Sequence, residues 1–179
     1  PDPKRAYINT IEHIDTEVGR LLKTIDDLKL TNNTYVIYTT DNGPWLPFLH
    51  HGGSAGPLRD GKGTTFEGGQ RVPCVMRGPG IPAGTVCDEL TGTIDLLPTI
   101  AAITGKPLPK GKKIDGLNVS GLWKGTEKNS PRTEFLHYTS RGDLEGIRSE
   151  KWKLLIKKPR RNPNNKPPEV FLFDLSKDL

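Results

Sequence analysis

The sequence predicts an α/β fold: part of a mostly parallel sheet flanked by helices, followed by a small antiparallel C-terminal subdomain with its own strands. Three observations carry this. Residues 4–30 repeat apolar side chains at helical spacing. A short, nearly all-apolar run at 34–40 follows directly. From residue 134 onward, four strand-like segments succeed one another with turns between them. The chain is expected to divide into 1–120 and 121–179, with the boundary somewhere in 115–133 and the second part incomplete at its C-terminus.

The helix comes first. Tyr7, Ile8, Ile11, Ile14, Val18, Leu21, Leu22, Ile25 and Leu28 are mostly three or four apart and share one face. Glu12, Asp15, Glu17, Arg20 and Lys23 take the other side. Pro3 suits a first turn, and Thr31-Asn32-Asn33 predicts an end near Lys29. Thr34–Thr40 is β-branched and aromatic, as in a strand buried on both faces of a parallel sheet. Asp41, Asn42 and Gly43 sit at its carboxyl end, where such sheets bind ligands.

Residues 43–72 carry too much glycine and too little periodicity for regular structure. A connection of that length in a compact domain is commonly functional. Pro73–Met76 predicts a second strand, and 78–82 a turn. Thr93–Thr104 reads as a helix with Thr93 as N-cap, Asp95 in the first turn, Pro98 early enough to be tolerated and Gly105 as the stop. Lys106–Lys113 is a connector. Segments 134–139, 144–149, 151–157 and 169–174 predict an antiparallel meander.

Hydrophobic residues make up 33% of the chain, which also has 20 Gly and 16 Pro. That suits a loop-rich protein or a piece of something larger. Net charge is +5, but Lys151 to Pro168 alone holds seven basic residues and no acid, so the rest is near neutral. A nucleic-acid partner, which needs a broad basic stripe with aromatics, is not indicated. Cys74 and Cys87 lack zinc-site spacing and leave one disulfide or two thiols open. Asn32 and Asn118 begin glycosylation-type triplets, which are common by chance. No membrane span or signal peptide is apparent.

The central loop admits three readings. Gly56 to Lys62 matches G-x-x-x-x-G-K, but Gly63 stands where a phosphate-binding loop needs Ser or Thr, and the flanks are neither strand nor helix. Asp41-Asn42-Gly43 is also an ordinary turn, Lys62 an ordinary surface charge, and His50-His51 an ordinary surface pair. Taken together, Asp41 and Asn42 offer oxygens for a hard divalent cation, Ca²⁺ or Mg²⁺. Lys62 can meet an anionic oxygen as a point charge, and a cation with a lysine would stabilise charge in ester cleavage.

Long motifs then stand in order: RAYINTIEHIDTEVGRLLKTI, TYVIYTTDNGP, GPLRDGKGTTFEGGQRVP, TGTIDLLPTIAAITG and the terminal VFLFDLSKDL. On these the chain resembles the sulfatase family of the alkaline phosphatase superfamily, in the branch of arylsulfatase A and N-acetylgalactosamine-6-sulfatase. The resemblance implies a sulfuric ester hydrolase. Asp41 and Asn42 match ligands of the active-site divalent cation, usually Ca²⁺. Lys62 matches the lysine that contacts sulfate, a catalytic and substrate-binding role. Glu67, Gly68, Gly69 and Arg71 match a motif read as loop architecture, with a Glu–Arg pair fixing the turn. Asp95 matches a position read as an N-terminal helix carboxylate. His50 and His51 fall where members vary and are candidate substrate-lining residues.

The family's nucleophile is a formylglycine made within C/S-x-P-x-R. No such segment occurs here: Cys74 is followed by Val-Met-Arg and Cys87 by Asp-Glu-Leu. The acidic ligands of the family's first strand are also absent. The resemblance therefore implies a C-terminal portion whose partner is the N-terminal half of the same protein, inactive alone. It implies a sulfated small molecule or glycan as substrate, and a periplasmic, secreted or lysosomal setting. Two alternatives stand beside it. One is a phosphoesterase or sulfonate-ester hydrolase of the same superfamily. The other is an inactive remnant that binds sulfated glycan through the basic 151–168 segment, with Arg160 and Arg161 as contacts.

Overall fold

The computed structural model describes residues 2–159 and 166–178. They form two compact units: one runs to Pro79 and includes Tyr138–Asp143, the other comprises Gly80–His137 and Leu144–Asp178. Arg160 and Arg161 lie outside the described residues.

The first unit opens with helix α1, Pro3–Asp27. Asp2 caps it, its carboxylate accepting from the Lys4 N–H at 3.0 Å, and Pro3 needs no amide partner in the first turn. It ends near the predicted place: Leu28 N–H still reaches Thr24 O, and Lys29 turns to φ 58°. No residue of α1 is buried; Ile11, Ile14, Leu21 and Leu28 are 46, 38, 55 and 63% exposed. The apolar stripe is only partly covered: Tyr7, Ile8, Val18, Leu22 and Ile25 are half-buried, and the helix packs against the 3-10 segment Leu46–His51.

Strand β1, Val36–Thr39, pairs antiparallel with β2, Cys74–Arg77, in the register Val36 to Arg77 through Thr39 to Cys74. This corrects the expected parallel sheet. A parallel pair requires a crossover, usually a full helix. The connection between β1 and β2 has only a 3-10 segment, Leu46–His51, and a four-residue helix α2, Glu67–Gln70, so it works as a return loop. Nor is β1 buried on both faces: Tyr38 is 44% and Val75 on β2 66% exposed. No parallel pairing occurs among the described residues. Arg77 forms an ion pair with Asp26 at the end of α1, and Tyr35 packs its ring over Gly78 and donates to Pro79 O at 2.7 Å.

In the second unit, a 3-10 turn at Thr93–Asp95 leads into α3, Leu96–Thr104. The predicted cap is corrected: Gly92 stands at the N-cap, and Asp95 Oδ2 reaches back to its N–H at 2.8 Å. Thr93 is already inside the turn. Pro98 is the third residue of α3 and costs no internal hydrogen bond. Gly105 closes the helix at φ 65°. A short α4, Ser120–Trp123, packs on α3; Thr99, fully buried, accepts from Val119 N–H at 3.0 Å.

The C-terminal sheet matches its prediction closely. β3 (Glu134–Tyr138), β4 (Leu144–Ser149), β5 (Trp152–Lys157) and β6 (Glu169–Asp174) are neighbours in sequence order. β4–β5 and β5–β6 are antiparallel. Leu155 on β5 is fully buried, with Leu175, Val119 and Leu122 also buried in this unit. Both cysteines are free thiols and exposed.

Candidate active site

The corner after β1 is built by backbone packing that only glycine permits. Thr40 Oγ1 donates to Asn42 O at 3.0 Å and turns the chain. Gly43 N–H then donates to Gly69 O at 3.2 Å. A Cβ on Gly43 would stand 1.7 Å from Gly68 O, so the two strands of loop touch main chain to main chain. One residue on, Pro44 O accepts from Lys62 N–H at 2.9 Å, and a Cβ on Gly61 would meet that same carbonyl at 2.4 Å. The 59–70 arm is folded on itself: Gly68 N–H donates to Arg59 O at 2.8 Å, and Gln70 Nε2 to Thr64 O at 2.8 Å. Thr65 to Gly69 is buried beneath it. Loop 43–72, expected without regular structure, thus holds a short helix and a 3-10 segment inside a tightly bonded frame.

This frame brings the Asp41-Asn42 corner and Lys62 into one neighbourhood through residues 43, 44 and 69. Asp41 and Lys62 are exposed and Asn42 half-buried. Among the described residues, no hydrogen bond or ion pair joins their side chains, which leaves a carboxylate, an amide and an ammonium available to a ligand. The carboxylate and amide oxygens fit a hard cation, though they are two of the roughly six to eight oxygens that Ca²⁺ takes. Among the described residues no three His, Cys, Asp or Glu side chains cluster to complete a site. Glu67 is buried at the start of α2, and Arg71 N–H donates to Glu67 O at 2.8 Å. That main-chain bond fixes the turn where a Glu–Arg pair is expected.

His50 and His51 lie on the 3-10 segment, both exposed, and among the described residues no hydrogen bond or ion pair joins them to Asp41, Asn42 or Lys62. His51 stacks on Phe48 with centroids 5.2 Å apart, and Phe48 lies against Trp45 at 4.2 Å. Trp45, Phe48 and His51 are spaced by three, but the kink at Leu49 interrupts the 3-10 segment between Phe48 and His51, and local pattern does not reveal it.

Asp95 holds a buried ion pair with Arg132, with Nε to Oδ2 at 2.9 Å, and accepts from Leu117 N–H at 2.8 Å as well as from Gly92. Burial pushes its carboxyl up, but Arg132 and the two N–H donors overrule this and hold it below the ordinary carboxylate value. With no hydrogen-bonding valence left over, Asp95 is architectural. Its position at a helix start was legible, whereas Arg132, distant in sequence, gave no signal.

A family model described as Sulfatase matches residues 2–106. The chain belongs to the sulfatase family. It is 43% identical to human arylsulfatase A over 149 residues, covering 81% of this chain and 29% of that protein. It is 33% identical to human steryl-sulfatase over 205 residues, covering 97% of this chain and 35% of that protein. N-acetylgalactosamine-6-sulfatase of Sus scrofa is 43% identical over 115 residues, 63% of this chain and 22% of that one. The chain thus spans about a third or less of these sulfatases. Among solved structures, the PsFucS1 sulfatase from Pseudoalteromonas sp. superposes with a TM-score of 0.78 at 28% identity, over 93% of this chain and 35% of that chain. Phosphonate monoester hydrolase from Silicibacter pomeroyi shares the fold at a TM-score of 0.61 and 21% identity, over 92% of this chain and 33% of that chain. Among the described residues, no helix of this sulfatase chain is long and apolar enough to cross a membrane.

Proposed function

We propose that the full-length protein hydrolyses sulfate esters, and that this chain supplies one wall of the site. The observation that carries the reading is the main-chain frame that ties Lys62 and the Asp41-Asn42 corner together, in a chain of sulfatase ancestry. Asp41 and Asn42 would hold the divalent cation, Ca²⁺ in this reading. When bound, the cation neutralises sulfate charge as a Lewis acid. Lys62 Nζ donates to a non-bridging sulfate oxygen and stabilises the charge that builds there as the ester bond breaks. The bonded loop fixes the main chain from which Lys62 extends its ammonium.

The nucleophile, a formylglycine, comes from sequence outside these residues, as do the remaining cation ligands. Residues 1–120 are the closing part of the catalytic domain, and 121–179 its antiparallel appendage. The exposed part of the α1 stripe and the open faces of β1 and β2 support this, since they are what a larger sheet and its neighbours would bury.

The test is turnover by the full-length protein. Release of sulfate from an aryl sulfate, with phosphate and phosphonate monoesters turned over far more slowly, is expected, and no turnover by residues 1–179 alone. Preference for a phosphate or phosphonate ester would overturn the assignment, as would sulfatase activity in the isolated chain.

A further inference from the structure

We propose that Trp45, Phe48 and His51 form a stacking platform for the ring of a cyclic sulfate ester, binding the part of the substrate that carries no charge. The proposal rests on the sulfatase reading and names the substrate class for that same site. Three observations carry it. First, the platform is bonded to the sulfate-binding frame. Trp45 follows Pro44, whose carbonyl is held by Lys62 N–H. Trp45 is therefore one residue along the chain from the carbonyl that holds the Lys62 main chain.

Second, loop 45–52 is fixed. Trp45 N–H donates to Gly52 O at 2.9 Å, Phe48 N–H to Trp45 O at 2.9 Å, and Gly52 N–H to Leu49 O at 3.2 Å. A Cβ on Gly52 would lie 2.2 Å from Trp45 O. Leu49 takes φ 49°, ψ −120°, strain that a side chain rarely bears, and this reversal returns His51 over Phe48. Third, the rings remain open: Trp45 is 48% and Phe48 44% exposed, and His51 is exposed. Rigid rings held with free area at the edge of an anion site suit a flat apolar face. An aromatic ring presents one, and so does the C–H side of a pyranose. A flexible alkyl chain would gain less from them.

The experiment uses the full-length protein and three esters: an aryl sulfate, a pyranose sulfate and ethyl sulfate. Inorganic sulfate serves as a competitor that reads the Lys62 half alone. Trp45→Ala should raise KM for a ring ester about tenfold, the scale of a lost aromatic contact. It should leave ethyl sulfate KM and inhibition by inorganic sulfate unchanged. Trp45→Phe, which keeps a ring, should retain most of the affinity and guards against a folding artefact. An effect in only the aryl or only the pyranose arm identifies which ring is bound. Equal KM changes for ring and ethyl esters would overturn the platform. So would a lowered melting temperature with the KM ratio intact, which would mean that the rest of the protein covers the stack. If the wild type turns over no sulfate ester, the sulfatase reading fails. The platform is then read separately, by isothermal titration calorimetry with 4-nitrophenol and methyl glucoside. Binding lost in Trp45→Ala supports it, and no binding by the wild type refutes it.

Discussion

Lys62 and Pro44 are joined by a 2.9 Å main-chain hydrogen bond, and this one contact carries the lysine from a glycine-rich loop to the end of strand β1. The position of Lys62 is thus set by its backbone, while its side chain stays exposed. Removing the side chain should spare the fold. Lys62→Ala in the full-length protein is expected to change stability by no more than about 0.5 kcal/mol, as for other surface changes. Its kcat for an aryl sulfate should fall about 10²- to 10³-fold, the usual loss for one charge-stabilising donor. Thermal unfolding and steady-state kinetics on the same sample read both. An unchanged kcat removes Lys62 from the site.

The frame itself makes a second prediction, because its glycines differ in why they are glycine. Gly43 has no room: its Cβ would fall 1.7 Å from Gly68 O. Gly63 has open space and is held only by its φ of 86°. Gly43→Ala must push two backbone segments apart, at about 1–3 kcal/mol for overpacking, and should displace the corner from Lys62. Gly63→Ala should cost about 1 kcal/mol of backbone strain and leave the corner in place. Turnover should therefore collapse in the first variant and persist in the second. Equal behaviour would mean that contact between the two loop arms does not position the site.

Which of these features the sequence exposes depends on how far apart their causes lie. Helix α1, the Gly105 stop and the four strands of the C-terminal sheet follow from spacing within a few residues, and each was legible to within a residue or two. The partner of β1 was not. An apolar strand of that kind fits a buried parallel sheet, and nothing in 34–40 reveals that β2 returns beside it antiparallel. The Asp41, Asn42 and Lys62 candidates came from residue chemistry and family resemblance. The Gly43–Gly68 contact and the Asp95–Arg132 pair arise from tertiary approach, for which local pattern carries no signal, and the Trp45–Phe48–His51 stack depends on the kink at Leu49.

The Asp95–Arg132 pair links stability to pH. The folded carboxyl lies below its ordinary value of 3.8, so the folded state binds its proton less readily than the unfolded chain. The stabilisation is then fully present above about pH 4 and is lost as pH falls through the lower folded value. Arg132→Met should remove this acid-side dependence. It should also cost about 3–5 kcal/mol, because Asp95 would stay buried without its partner. Chemical denaturation at a series of pH values from 7 down to 3 reads both effects. A variant curve parallel to wild type across that range would show that the pair does not set the acid limb.

Asp41 and Asn42 predict a metal-linked stability that needs no turnover to observe. A cation bound only by the folded protein stabilises it by mass action, about 2.7 kcal/mol when free metal is a hundredfold above Kd. Full-length protein stripped with a chelator should therefore melt lower and recover on adding Ca²⁺. Asp41→Ala removes a charged oxygen ligand from an exposed corner where, among the described residues, that side chain holds no other partner. It should leave the melting temperature of the stripped protein nearly unchanged and abolish most of the Ca²⁺ response. Asn42→Ala removes a neutral ligand and should weaken the response less. Titrating Mg²⁺ beside Ca²⁺ separates the two ions, since Mg²⁺ demands a tighter octahedral shell at shorter distances. A full Ca²⁺ response in the Asp41→Ala, Asn42→Ala double variant would place the cation elsewhere and leave the β1 corner as a turn alone.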